Sequence, residues 1–138
     1  MTADLVGFLL ARLSEDEASA RACTEVFPAP WDVSERGHSA TVRADEPNFR
    51  IVAELEQSDS IDGWLGDRLD HIARHDPARV LAEVAAKRRI VGMLSSIVPA
   101  KETNPIKSED AVALADWTLR LLALPYADHN DYRQEWGP

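Results

Sequence analysis

Apolar residues in the first part of the chain recur at helical spacing. Leu5, Val6, Leu9, Leu10 and Leu13 form a stripe that Phe8 widens. Thr2 is placed to cap this helix, and Asp4 lies in its first turn, where the helix dipole favours an anion. The helix is expected to reach about Cys23 or Thr24 and to stop before Phe27-Pro28-Ala29-Pro30, because proline cannot continue it. From Trp31 and Val33 the period shortens to two. Ser39 to Arg43 and Phe49 to Leu55 alternate apolar and polar residues rich in β-branched types, with turns at Arg36-Gly37-His38 and Ala44 to Asn48. This predicts two or three antiparallel strands, which must pack on helices because a lone hairpin is marginal in water.

Helical spacing returns after the loop at residues 58–63. A short helix is expected from Gly63 to His75, with Trp64, Leu65, Leu69 and Ile72 on one face. Asp76-Pro77 then restarts the chain, Asp as cap and Pro at the first helical position. The following helix, Ala78 to about Val98, aligns Leu81, Val84, Arg88, Val91 and Leu94 or Ser95, and Pro99 stops it. A linker from Ala100 to Lys107 leads to Ser108, which caps a last helix with Val112, Ala115, Leu119, Leu122 and Ala123 inward and Pro125 as its end. Tyr126, Tyr132 and Trp136 give the tail enough aromatic area to dock. The fold class that emerges is α+β in one domain over residues 1–138. It has a helical core of three to four helices, with the first, third and fourth at its centre and a small two- to three-stranded antiparallel sheet packed against it.

Composition narrows the function classes. An apolar fraction of 45% is globular. No apolar run nears the roughly 20 residues that span a bilayer. The opening residues lack a basic segment and turn acidic at Asp4 and Glu15-Asp16-Glu17, so the expected location is the cytoplasm. The net charge of −9 is concentrated in residues 1–66, which carry 13 acidic and 5 basic residues. Such a surface repels phosphate backbones and suits a basic partner or simple solubility. Cys23 is the sole cysteine, which excludes an internal disulfide and a cysteine-based zinc site; it reads as a small apolar residue on a buried face.

Candidate chemistry is sparse, and no catalytic constellation stands out. His71 and His75 are four apart on a helix and share a face, as two ligands of one metal would. Ile72 stands where a zincin helix has its glutamate, and Asp67, Asp70 and Asp76 are the local candidates for a third ligand. Arg79, Lys87, Arg88 and Arg89 form a basic stretch that either contacts a partner, including nucleic acid, or pairs with the acidic half. Asp128-His129 and Asp131, near Tyr126 and Tyr132, offer a carboxylate beside a base, but the absence of a nucleophile motif favours local turn hydrogen bonds. Trp31, Trp64, Trp117 and Trp136 read first as core or docking anchors, then as a ligand or partner surface.

Three segments together resemble one family. They are Asp4-Leu5-Val6 through Glu15-Asp16-Glu17, His71-Ile72-Ala73-Arg74-His75-Asp76-Pro77-Ala78-Arg79-Val80-Leu81 through Lys87-Arg88-Arg89-Ile90, and the tail from Leu119 to Trp136. In order and content they are similar to family 6221 of the domains of unknown function, found in actinobacteria and their phages. The resemblance implies no activity. It implies that many members hold a cysteine-bearing insert before the last helix, suggestive of a metal site; here Pro99 to Ser108 stands in its place without a cysteine.

The leading expectation is a non-catalytic protein-binding or accessory module, self-associating or partner-bound, with no cofactor and no membrane association. Its contact residues would be drawn from Arg79, Lys87, Arg88, Arg89, Tyr126, Tyr132 and Trp136. The alternatives are a metal-assisted enzyme centred on His71 and His75 and a nucleic-acid binder using the basic helix 79–89.

Overall fold

A computed structural model describes residues 2–36, 39–45, 50–56, 65–98 and 109–137. The elements run α1 (Thr2–Val26), β1 (Asp32–Arg36), β2 (Ser39–Arg43), β3 (Ile51–Glu56), α2 (Leu65–Arg74), α3 (Pro77–Ser95) and α4 (Glu109–Ala123). Single 3₁₀ turns follow at Leu124–Tyr126 and Gln134–Trp136. This is the α+β class expected. The turn residues at 37–38 and 46–49, the loop with Trp64, Pro99, the 100–107 linker and the Ser108 cap lie outside the described residues.

The chain divides into two compact units, Met1–Asp16 with Val84–Pro138, and Glu17–Glu83. In the first unit the helical stripes supply the core. Leu5, Phe8, Leu9 and Leu13 of α1, Val84 and Val91 of α3, and Ala115, Leu119 and Ala123 of α4 are buried. Leu10, expected in the α1 stripe, is exposed, and Arg12 is buried instead. Thr2 is the first helical residue, and its hydroxyl donates to Asp116 on α4 rather than capping α1.

In the second unit β1, β2 and β3 form an antiparallel sheet in that order. Arg36 opposite Ser39 closes the first hairpin, and the register of the second pair shifts between Val42 and Arg43. Ala40 and Val42 point to one face, where they meet Leu69 of α2. Trp31, Val33, Val52, Ala53, Ile72 and Ala73 pack around them. Within this unit the helix behind the sheet is α2. The Trp31 indole N–H donates to the Phe27 carbonyl, and the Ala29-Pro30 peptide is cis.

Helix ends follow local chemistry. α1 continues to Val26, past the expected Cys23, because Pro28 disfavours helical geometry only at the residue before it. Asp76 caps α3 through its Oδ1, which accepts from the Arg79 N–H at 2.8 Å, and Pro77 takes the first helical position. α3 stops at Ser95, short of the expected Val98. The hydroxyls of Ser95 and Ser96 donate to the carbonyls of Gly92 and Met93, which satisfies terminal acceptors inside the last turn.

Candidate functional site

The densest arrangement of chemically capable side chains lies in the first unit, where the tail folds onto the start of α1. Phe8 is its centre. The rings of Tyr126, His129, Tyr132 and Trp136 sit 6.4, 5.9, 6.0 and 5.0 Å from it, mostly edge to face. This is the geometry in which the positive edge of one ring meets the negative face of another. The two 3₁₀ turns make this possible by bringing residues 126, 129, 132 and 136 back to the same side. The chain of turn hydrogen bonds from Ala127 to Gly137 holds them there. The expected docking of the tail therefore holds: Trp136 is 3% exposed, and Tyr126 and Tyr132 are half-buried.

Charged groups lock the cluster. Arg12, one turn after Phe8, lies over the Phe8 ring with 9% of its side chain exposed. Its Nη1 donates to the His129 imidazole, and its Nη2 donates to Glu15 at 2.7 Å. The His129 Nδ1 also accepts from the Asp131 backbone N–H. The imidazole is thus tied to Arg12 and the local turn, with no nucleophile among these partners. Tyr126 donates its hydroxyl to Asp16 at 2.6 Å. Burial, then the hydrogen bond to Asp16 and its negative charge, push the Tyr126 phenol above its ordinary value; Arg12 opposes this. Arg133 binds Asp4 at 2.9 Å and lies over Trp136, and Arg120 donates to Asp116 and to the Glu135 carbonyl.

Beside this cluster runs an open groove of about 620 Å³, lined by the α1 surface at Ala3, Gly7 and Ala11 and by Arg12, Tyr132 and Trp136 among others. A Cβ added at Gly7 would meet nothing within 4 Å. Two N–H groups of lining residues, Arg12 Nε and Trp136 Nε1, are buried without an acceptor. Arg12 and Asp16 escaped the sequence reading. The available signal was position: Phe8, Arg12 and Asp16 recur every four residues on α1, so a polar pair continues the face that Phe8 begins.

His71 and His75 do share a face. Their rings are 4.4 Å apart, and both side chains are exposed. His75 Nδ1 lies 2.7 Å from the His71 carbonyl, so it donates and leaves Nε2 as the accepting nitrogen. Asp76, one candidate third ligand, is engaged as the α3 cap. Among the described residues no three His, Cys, Asp or Glu gather where they could hold a metal.

The basic residues divide between the units. Arg79 reaches Glu83 at 2.9 Å and the Arg74 carbonyl. Arg88 is half-buried and donates to Ser14 at 3.0 Å, Lys87 is half-buried, and Arg89 is exposed. Cys23 is half-buried, and burial pushes its thiol up.

α4 is apolar on two sides. Ala115 and Leu119 face inward, yet Leu114 is 66% exposed, Trp117 48% and Leu121 43%, and Leu124 extends the same line. Trp117 is thus no core anchor, unlike Trp136. Among the described residues no helix is long and apolar enough to cross a membrane.

Fold and site together define a small α+β protein whose C-terminal tail is clamped onto its first helix by rings and arginines. The model of the Family of unknown function (DUF6221) matches residues 2–138, and the chain belongs to that family. No curated protein and no solved structure gave a match.

Proposed function

We propose that the protein is a non-catalytic protein-contact module that pairs with a second copy of itself through the outer stripe of α4. The observation that carries this reading is Leu114, Trp117 and Leu121 on α4, with Leu124 in the 3₁₀ turn that follows it, all exposed. Their spacing of three, four and three residues is that of a coiled-coil seam, in which each apolar side chain enters a hole on the facing helix. A stripe that meets its own copy across a two-fold axis is self-complementary. Soluble chains seldom expose contiguous apolar surface without a use for it. α4 has 15 residues, so the seam is short and the pairing is weak and reversible. The net charge of −9 opposes the approach of two copies, so added salt should strengthen the pairing.

Sedimentation velocity across a concentration series tests this. Support is a monomer–dimer equilibrium that salt drives toward dimer and that Trp117→Ala with Leu121→Ala abolishes at an unchanged melting temperature. A monomer at every concentration, or a dimer indifferent to the double substitution, overturns it.

A second reading rests on the 4.4 Å approach of the His71 and His75 rings, which suits a transition metal held by two imidazoles with open positions for water. Titration with Ni²⁺ or Zn²⁺ should show one site per chain that His71→Ala removes; equal binding by the variant ends it.

A further inference from the structure

The contact between tail and α1 is built around one titratable ring. Two donors converge on His129 Nδ1: Arg12 Nη1 at 2.6 Å and the Asp131 backbone N–H at 3.1 Å. Arg12 Nη1 also touches Nε2. Whichever nitrogen accepts, the ring has to be neutral, because a protonated imidazole carries an N–H on both nitrogens and has no acceptor left. A proton on His129 sets donor against donor. It also places a second positive charge against a guanidinium that is largely withdrawn from water.

We infer that the tail is an acid-released latch: protonation of the His129 ring breaks its contact with Arg12 and frees the segment from Tyr126 to Trp136 from α1. The ring is half-buried, so a proton can reach it in the closed form. Two carboxylates act against release. Asp131 lies 3.9 Å from both His129 Nδ1 and Arg12 Nη1, and Glu15 holds Arg12 Nη2 at 2.7 Å. Their side chains are 75% and 62% exposed, so water screens them, whereas Arg12 meets the ring directly. Of the other charged groups at the cluster, Asp16 is engaged by the Tyr126 phenol and Arg133 by Asp4, and Asp128 precedes the ring in the tail. Imidazoles ordinarily gain a proton near pH 6.5; carboxylates and phenols titrate well away from that value. Release uncovers Phe8 and Trp136, both buried in the closed form, and so presents an aromatic surface in acid that is hidden at neutral pH.

Native-state amide exchange on the full chain, read as protection factors at pH 7.5 and pH 5.0, tests this. The reporters are the amides of His129, Tyr132 and Trp136, which donate to turn carbonyls of the tail. Their protection should fall at least about fivefold in acid, toward a limit of about thirtyfold for a closed latch that takes no proton. His129→Gln keeps an acceptor but gains no charge, and its reporters should hold their protection at pH 5.0. If that variant is already open at pH 7.5, the wild type decides alone: the loss of protection has to follow proton uptake by the His129 ring, read from its ring-nitrogen resonances by NMR. Unchanged protection at pH 5.0, an equal fall in a closed His129→Gln, or a fall that tracks carboxylates below about pH 4.5 instead of the His129 ring would each overturn the inference.

Discussion

Tyr126→Phe deletes one oxygen and isolates the bond that ties the tail to α1. The phenol donates to Asp16 at 2.6 Å, a short contact to an ionised acceptor. Such bonds contribute about 1.5–3 kcal/mol net when well enclosed. Tyr126 and Asp16 are both half-buried, so water can replace part of what is lost, and the expected cost falls to about 1–2 kcal/mol. For a chain of this size that lowers the melting temperature by about 3–8 °C. The pH dependence gives an independent check. Burial and Asp16 raise the folded-state phenol above its ordinary value near 10. The folded state therefore holds its proton where the unfolded state has released it, and wild-type stability falls as pH rises above about 10. Below that, the contribution is fully present. Urea unfolding at pH 8 and pH 10.5 measures both effects. Tyr126→Phe should be less stable than wild type at pH 8, and the gap should narrow by about 0.8 kcal/mol at pH 10.5. A loss below about 0.3 kcal/mol at pH 8, or a gap that does not change with pH, would refute the argument.

Two further outcomes follow from the same contacts. Trp136→Ala empties the space against Phe8 and should cost about 3–5 kcal/mol, read by thermal or urea unfolding, with Trp136→Phe recovering part of it. Cys23, half-buried and with its thiol pushed up by burial, should react with iodoacetamide at pH 7.5 at least about tenfold more slowly in the native protein than in urea.

Much of the architecture was legible because it depends on short-range periodicity. The stripe Leu5–Leu9–Leu13, the Asp76-Pro77 helix start, the strand at Ser39–Arg43 and the inward Ala115–Leu119–Ala123 line are set by spacing and by backbone chemistry a few residues wide. The tail could be read as docked from its aromatic content alone, because three large rings seldom stay in water.

Tertiary structure decided what met what. Nothing local marks Arg12 as buried, since an arginine beside Leu13 reads as solvated until His129, more than a hundred positions away, arrives over it. Asp16 looks like one more charge in an acidic run until Tyr126 reaches it. Trp117 and Trp136 are the same residue type, yet one stays half in water and the other is enclosed, because enclosure depends on which face of α4 and which turn of the tail finds a partner. The sequence by itself therefore determined the elements and their buried stripes, since those follow from the periods of helix and strand. Only the folded chain determined the clamp, the groove beside it and the exposed seam on α4. Those are products of pairings between distant residues, which loop closure allows and spacing alone does not encode.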